Sequence, residues 1–158
     1  MTLKEEVQQD TKDAVKKKEE LKVSVLRLLS AAILNKEKEK RYKSGEGKEV
    51  QLTDEEITDV IVAEAKKRKE AIVDYEKGGR KELAEKEKKE LGILKNYLPE
   101  QLSEEEIKKI VKAAIEKVGA KELKDMGKVM QELAPQTKGK ADGSLVSKIV
   151  KELLLPQK

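Results

Sequence analysis

Nucleophilic side chains are scarce in this 158-residue chain, and none has an activating partner of a common type. The chain contains neither cysteine nor histidine, which excludes thiolate catalysis, disulfides, the usual Cys/His zinc sites and imidazole as a general base. None of the serines lies in a Gly-x-Ser-x-Gly turn. A pairing of Ser144 with Lys148 is the alternative on paper, although Ser144 is more typical of a first-turn helix residue. The sequence therefore argues against a conventional enzyme and predicts no catalytic residue, no metal and no cofactor.

A segment rich in lysine and glycine near the carboxyl end has the composition of a phosphate contact. Gly139 and Gly143 frame a basic loop that leads into a predicted helix, where backbone N–H groups and lysines would favour a bound anion. Gly127 lies in the first turn of the preceding helix, where its use is close approach of another backbone. From residue 126 onward, six lysines stand against three acidic residues. On these residues alone, the candidate phosphate contacts are Lys138 and Lys140 together with the exposed N–H groups of the loop.

Each of these residues also has a purely structural interpretation. The glycines suit turns or a helix crossing, and the lysines suit a solvated surface. The dipeptide Gly139-Lys140 lacks the upstream glycine and the following Ser or Thr of a phosphate loop. We therefore find no nucleotide-binding motif, and contact with the phosphates of a nucleic acid stays a hypothesis at this point.

Two arginines fall on the apolar sides of predicted helices. Arg68 belongs to the basic run Lys66–Lys69, whose four cations point in four directions around a helix and cannot form one binding stripe. Arg68 lies near Glu64, and Arg27 has Glu64 or Glu90 as its expected partner. The favoured interpretation for all four residues is a set of partly buried ion pairs that fix the register of the helices.

The elements that would position these residues are helices. Charged residues make up 43% of the chain and aromatic residues 2%. Alanine, glutamate, lysine and leucine dominate, as they do in helices with well-solvated faces. The low content of aromatic and β-branched residues argues against a sheet. The sequence therefore predicts an all-α fold.

Capping signals place several helix ends. Four-residue capping boxes begin at Thr53 and Ser103, and the pair Gly78-Gly79 predicts a left-handed helix end. A helix from about Glu20 to Tyr42 is apolar nearly all round at its centre, which is typical of a buried helix in a bundle. The polar, glycine-bearing segment 43–47 predicts a loop after it.

The helix-breaking segment around Pro99 predicts a boundary between two domains. Proline restricts the residue before it and ends the fourth predicted helix. We therefore predict a four-helix domain at residues 1–97 and a three-helix domain at residues 98–158. The middle helix of the second domain is expected from about Asp125 to Leu133, with Pro135 just beyond it.

The chain has no apolar run of about 18 residues, so no membrane-spanning helix is expected. Its first residues are polar and lack the apolar stretch of a signal peptide. Both features predict a cytoplasmic protein without a membrane partner.

Three motifs, in this order, resemble the GatB/YqeY family. They are Tyr97–Glu106 (YLPEQLSEEE), Asp125–Met130 (DMGKVM) and Lys138–Ser144 (KGKADGS). The resemblance runs nearly end to end and includes the Arg27-Leu28-Leu29 helix and the Gly79-Arg80 turn. The chain thus resembles a stand-alone YqeY-type protein.

The resemblance implies a four-helix domain followed by a small three-helix domain. The second domain would be similar to the tail of the GatB subunit of the tRNA-dependent amidotransferase, which is implicated in gripping tRNA while Glu-tRNA or Asp-tRNA is converted to its amide. Similar modules are appended to some glutaminyl-tRNA synthetases. Family members are also described as carbon–nitrogen ligases with glutamine as the amide donor. However, the Gly/Ser-rich signature of the amidase subunit and the catalytic cradle of GatB have no counterpart in this chain. The resemblance therefore implies a recognition role only. The candidate nucleic-acid-binding residues that it implies are Met126, Gly127, Lys128, Lys138, Gly139, Lys140 and Lys148.

Three hypotheses follow. In the first, the protein is a non-catalytic module that binds tRNA by shape and phosphate contact. In the second, it is a protein-interaction adaptor whose first domain contacts an amidotransferase or an aminoacyl-tRNA synthetase. In the third, it is a transamidase that works with serine, lysine and carboxylates alone, and ammonia release from glutamine by the pure protein would test that activity.

Overall fold

A computed structural model describes residues 1–45 and 50–155. Over these residues the chain forms seven α-helices and one short 3-10 turn, and no strand. The predicted all-α fold is therefore confirmed. The helices, in chain order, are α1 (Leu3–Lys16), α2 (Glu20–Ser44), α3 (Asp54–Lys77), α4 (Lys81–Lys95), α5 (Glu104–Val118), α6 (Met126–Thr137) and α7 (Gly143–Leu154), with the 3-10 turn (Leu123–Asp125) before α6.

The chain divides into two compact units. The first unit is Met1–Leu98 and contains α1 to α4, and the second begins at Pro99 and contains α5 to α7. Each unit has a separate hydrophobic core, and no residue belongs to both. All three tyrosines of the chain lie in the first unit.

Four helices pack around the core of the first unit. The core side chains from α2 and α3 are spaced three, four and seven residues apart, as an amphipathic helix requires. Leu26, Leu29, Ile57, Ile61 and Leu94 are among its largest fully buried side chains. Apolar burial of this kind supplies the main driving force for folding, at roughly 25 cal/mol for each Å² removed from water.

Helix α2 is less buried than its sequence predicts. Leu28 and Leu34 are 54% and 49% exposed, although both lie in the stretch that is apolar nearly all round. Helix α2 packs against α1, α3 and α4, and these three neighbours do not surround it. The prediction of a fully buried helix was therefore wrong, and an apolar strip of α2 faces solvent within the described residues.

The helix starts follow the capping boxes. Thr53 Oγ1 accepts the Glu56 N–H over 3.2 Å and Ser103 Oγ accepts the Glu106 N–H over the same distance. In each case the glutamate also accepts the N–H of the capping residue. Both predicted capping boxes are confirmed, and a third one, from Thr2 to Glu5, begins α1.

Three helices end in the same hydrogen-bonded turn, the Schellman motif. After α3 and α5 the left-handed residue of this turn is Gly79 (φ 71°) and Gly119 (φ 66°). After α1 it is Lys18 (φ 58°), the one described non-glycine residue with a positive φ. The Lys18 N–H donates to Val15 O and the Glu19 N–H donates to Ala14 O, which are the two bonds that define the motif.

Helix α6 continues two residues beyond Pro135, whereas the sequence predicts its end near Leu133. Proline removes one backbone donor, so it weakens the helix at this point. The last turn is held instead by the buried Thr137, whose hydroxyl donates to Leu133 O over 3.1 Å, and by the Lys138 N–H, which donates to Ala134 O. These two bonds explain why the helix passes through the proline.

The predicted loop at residues 43–47 lies only partly within the described residues. Helix α2 reaches Ser44, and Gly45 follows it in a left-handed conformation with a φ of 67°. Among the described helices, none combines enough length with enough apolar residues to cross a membrane.

Candidate nucleic-acid interface

The loop between α6 and α7 is fixed in place by the segment that begins the second unit. Gln101 Nε2 donates to Gly139 O over 2.9 Å and to Pro99 O over 2.8 Å. The Leu102 N–H donates to Lys140 O over 2.8 Å. Both carbonyls that face this segment are therefore satisfied, and the loop has a defined conformation. Sequence reasoning missed these contacts, although Gln101 and Leu102 lie inside the first of the three motifs.

The same loop is closed from within by its own backbone. The N–H groups of Lys140 and Ala141 both donate to Thr137 O, at 2.9 and 3.1 Å. Gly139 has a φ of 73°, which favours glycine, and it is buried. Gly139 therefore shapes the turn and is not itself a contact surface.

Helix α7 begins at the end of this loop. Asp142 is its capping residue, and Asp142 Oδ1 accepts the Ser144 N–H over 3.1 Å. The backbone N–H groups of Gly143 and Leu145 have no hydrogen-bond acceptor among the described residues. A Cβ atom added at Gly143 would meet no heavy atom within 4 Å. This helix start is thus open to solvent and presents two N–H donors.

Three lysines of the second unit have no carboxylate partner among the described residues. Lys128, Lys140 and Lys148 are exposed, and no carboxylate oxygen of the described residues lies within 4.0 Å of their ammonium nitrogens. Lys138 is the residue that follows α6, and it is also exposed. By contrast, Lys117 on α5 contacts Glu132 on α6 over 2.6 Å, so it is engaged in holding the unit together.

The seven candidate residues do not all meet at one point. Lys138, Gly139 and Lys140 share the loop, and Lys148 lies about one and a half turns into α7. Lys128 is at the other end of α6, ten residues from Lys138, which corresponds to roughly 15 Å along the helix axis. The loop and the start of α7 therefore form the centre of the candidate interface, and Lys128 is peripheral to it.

The start of α6 differs from expectation. Met126 is half-buried and packs against the core of the second unit. A Cβ atom at Gly127 would meet no heavy atom within 4 Å, so the expected close approach of another backbone does not occur among the described residues. Asp125 accepts the N–H groups of Lys121 and Glu122, and these bonds hold the pKa of its carboxyl below the ordinary value. Met126 and Asp125 thus have structural roles.

The ion pairs of the first unit join other partners than those predicted. Arg68 Nη1 lies 3.8 Å from an oxygen of Glu87 and 3.8 Å from an oxygen of Glu90, so it connects α3 to α4. The Arg68 side chain is 11% exposed, and its Nε has no hydrogen-bond partner in the described part of the chain. Glu64, the expected partner, instead contacts Lys67 over 3.1 Å.

The prediction for Arg27 was wrong. Its side chain is exposed, and no carboxylate oxygen of the described residues lies within 4.0 Å of it. The reason is geometric: Glu90 faces Arg68 on α3, and Arg27 lies on the side of α2 that its neighbours leave uncovered. Glu90 is therefore buried against a different arginine from the one expected.

Arg68, Glu87 and Glu90 form a cluster that contains two acidic residues and one basic residue. Burial, the nearby Glu90 carboxylate and a hydrogen bond between the two acids raise the pKa of Glu87, while Arg68 partly opposes this shift. Two carboxyl groups that share one guanidinium in this way stabilise the register of α3 and α4. Within the described part of the chain, no group of three or more acidic residues is arranged to hold a metal ion.

The chain is similar to known proteins over nearly its whole length. The family described as YqeY, Yqey-like protein, matches residues 4–154. A protein of Pyrenophora tritici-repentis (strain Pt-1C-BFP), altered inheritance of mitochondria protein 41, mitochondrial, is 30% identical over 152 residues, which cover 94% of this chain and 78% of that protein. Both similarities include the loop and the helix start described above, and this chain belongs to the YqeY-like family.

Proposed function

We propose that the second unit is a non-catalytic module that binds the phosphate backbone of tRNA or a tRNA-related RNA. One observation carries the proposal. The loop held by Gln101 places Lys140 two residues before the capping residue of α7, and the N–H groups of Gly143 and Leu145 at the start of that helix have no acceptor among the described residues. Backbone N–H groups at a helix start, reinforced by the helix dipole, bind anions such as phosphate.

Open space around the loop supports the same function. Because Gly143 is exposed and has no neighbour within 4 Å of its Cβ position, a phosphate can approach its backbone without a steric clash. Lys140 and Lys148 have no acidic partner in the described chain, so binding a phosphate does not require breaking an existing ion pair. Contacts of this type position a nucleic acid without reading its sequence.

The family supports tRNA as the RNA concerned. The second unit would correspond to the tail of the GatB subunit, and that correspondence is part of the proposal. Ser144 lies in the first turn of α7, where its backbone N–H donates to Asp142 Oδ1, a position typical of a helix-start residue. We therefore propose binding without catalysis, and the carbon–nitrogen ligase activity described for family members is the alternative to be tested.

Binding through a few lysines should be weak and sensitive to salt. If about three phosphates are neutralised, tripling the salt concentration should weaken binding roughly 10- to 20-fold. We expect this for total tRNA measured at about 50 and about 150 mM salt, because each neutralised phosphate releases a condensed counterion. Filter binding or fluorescence anisotropy would give the two affinities.

The double variant Lys138→Ala/Lys140→Ala should weaken binding and flatten its dependence on salt. A matched control is Lys81→Ala/Lys89→Ala, which removes the same charge from exposed positions of the first unit. If both variants lose affinity equally, or if wild-type binding is insensitive to salt, the proposed interface is wrong. Release of ammonia from glutamine by the pure protein would instead favour the transamidase hypothesis.

We also propose that the protein acts in the cytoplasm. The similar protein of Pyrenophora tritici-repentis has a name that places it in mitochondria. Fractionation of cells that express the full-length protein separates these two locations.

A further inference from the structure

A groove beside the turn between α1 and α2 has an apolar floor that faces solvent. Val15 and Leu28 are 48% and 54% exposed, and Val23, which also lines the groove, is half-buried. The groove has a volume of about 620 Å³ and is also lined by Lys18, Glu20, Ser24 and Arg27. A volume of this size is within the range of small-ligand sites and of pockets that receive one or two anchoring side chains.

The segment that forms this groove carries more positive than negative charge, and Lys18, Arg27 and Glu20 are the charged residues of its lining. Residues 15–28 contain five cations and two acids. No carboxylate oxygen of the described chain lies within 4.0 Å of any of the five cationic groups. Lys88 of the same unit, by contrast, contacts both Glu76 and Glu85. The five cations are Lys16, Lys17, Lys18, Lys22 and Arg27.

Lys18 occupies its position at a cost. In the equivalent turns after α3 and α5 the left-handed residue is Gly79 or Gly119, but here it is a lysine with a φ of 58°. A side chain in this conformation costs roughly 1 kcal/mol relative to glycine. Backbone strain of this kind concentrates at functional positions. The strain places a lysine side chain at the wall of the groove.

We propose that this groove, defined by Val15, Lys18, Val23, Arg27 and Leu28, is a docking site for an acidic amphipathic helix of a partner protein. The apolar floor fits an aliphatic anchor, and the unpaired cations are complementary to carboxylates beside that anchor. RNA fits less well, because no aromatic side chain lines the groove to stack on a base. The site lies in the first unit and does not depend on the function proposed for the second.

A labelled synthetic helix tests the proposal with the full-length protein. The probe is a 16-residue peptide with leucines on one face and glutamates on both flanks, and the control peptide has lysine in place of every glutamate. We expect the acidic peptide to bind with a Kd of roughly 1–100 μM by fluorescence anisotropy. The lysine peptide should bind at least about tenfold more weakly, which corresponds to a difference of about 1.4 kcal/mol.

Two variants separate binding from folding. Lys18→Gly removes the charge and the backbone strain together, so the protein should unfold at a higher temperature but bind the acidic peptide at least about threefold more weakly. Leu28→Ser removes an exposed anchor contact and should have a similar effect on binding. As a control, Leu34→Ser changes an exposed leucine of α2 that does not line the groove.

Three results would overturn the proposal. The first is equal binding of the acidic and the lysine peptide. The second is acidic-peptide binding that neither Lys18→Gly nor Leu28→Ser reduces. The third is displacement of the peptide by single-stranded RNA or by phosphatidylserine vesicles at a lower concentration than by unlabelled peptide, which would assign the groove to RNA or to a membrane surface.

Discussion

Gln101 Nε2 donates a hydrogen bond to the Gly139 carbonyl oxygen over 2.9 Å and so connects the segment before α5 to the loop before α7. The same amide nitrogen donates to Pro99 O over 2.8 Å. These contacts unite two of the three sequence motifs, which are 32 residues apart at their nearest ends, roughly 110 Å if fully extended. The first motif therefore supports the conformation of the loop that the third motif forms.

Gln101→Ala should destabilise the second unit. Loss of the two hydrogen bonds leaves the partly buried Gly139 carbonyl without its side-chain donor, and a cost of about 1 kcal/mol is expected. The variant should also bind tRNA more weakly, because the loop is no longer held in one conformation. Urea unfolding followed by circular dichroism measures the first effect. Gln131→Ala, at an exposed position without a described hydrogen bond, should change neither quantity.

Lys18→Gly should stabilise the first unit by roughly 0.5–1 kcal/mol, because glycine adopts the left-handed conformation without strain. The neighbouring variant Lys17→Gly is the control. It removes the same charge, but Lys17 has a φ of −82° and ψ of −2°, which every residue type adopts readily. Lys17→Gly should therefore lower the urea midpoint. A shift in the same direction for both variants would mean that charge, and not backbone conformation, controls stability at this turn.

Glu87→Gln should make stability less dependent on pH on the acid side of neutrality. Burial and Glu90 raise the pKa of Glu87. The protonated Glu87 side chain therefore contributes to the stability of the folded state. That contribution is fully present below the ordinary glutamate pKa and is lost as the pH rises through the raised value. At pH 7 the wild type carries the cost of a partly buried charge that glutamine lacks, and the variant should be the more stable protein.

The difference should disappear near pH 4, where Glu87 is protonated in the wild type. Thermal unfolding at a series of pH values gives this comparison. Glu85→Gln is a suitable control, because Glu85 lies on the exposed side of α4 and contacts Lys88 over 3.1 Å. A constant difference between Glu87→Gln and the wild type across this range would contradict the proposed origin of the shift.

Tyr97→Phe should destabilise the first unit by about 1.5–3 kcal/mol, the usual range for a hydrogen bond to a charged group. The Tyr97 hydroxyl donates to Asp10 Oδ2 over 2.5 Å, so it connects the segment that follows α4 to α1. Burial, the hydrogen bond to Asp10 and the charges of Asp10 and Glu6 raise the pKa of this phenol. Its contribution to stability is therefore present below the ordinary tyrosine pKa and is lost only as the pH rises through the higher value in the folded protein.

Alkaline titration of absorbance at 295 nm should show this directly. The titration curve contains one absorbance increase for each tyrosine. The increase that is missing in Tyr97→Phe should be the one that occurs above the ordinary pKa of tyrosine. If the substitution removes a component that ionises at the ordinary value, the hydrogen bond to Asp10 is not maintained in solution.

The fold could be predicted from local features to a large extent. The capping boxes at Thr53 and Ser103 and the left-handed glycine at Gly79 are determined by residues within one turn of each helix end, so the sequence contains the necessary information. The end of α6 could not be predicted in this way, because the hydroxyl of Thr137 compensates for Pro135 only when it is buried.

The candidate site was less predictable than the fold. The sequence identified the lysines and glycines of the loop, but not the role of Gln101, which depends on a contact between distant segments. The same limitation explains why the ion-pair partners of Arg27 and Arg68 were predicted incorrectly. Both lie in apolar surroundings in the sequence, and only the packing of α3 against α4 determines that Glu90 faces Arg68.

The distribution of the tyrosines has a practical consequence. Because the chain has no tryptophan and all three tyrosines belong to the residues before Pro99, ultraviolet emission from this protein reports on the first unit alone. The second unit contributes only to the peptide signal in circular dichroism. Recording both signals during one thermal melt would separate the unfolding of the two units without labels or truncation. A tryptophan introduced near the loop would report on the proposed RNA binding, because no other tryptophan contributes to the emission.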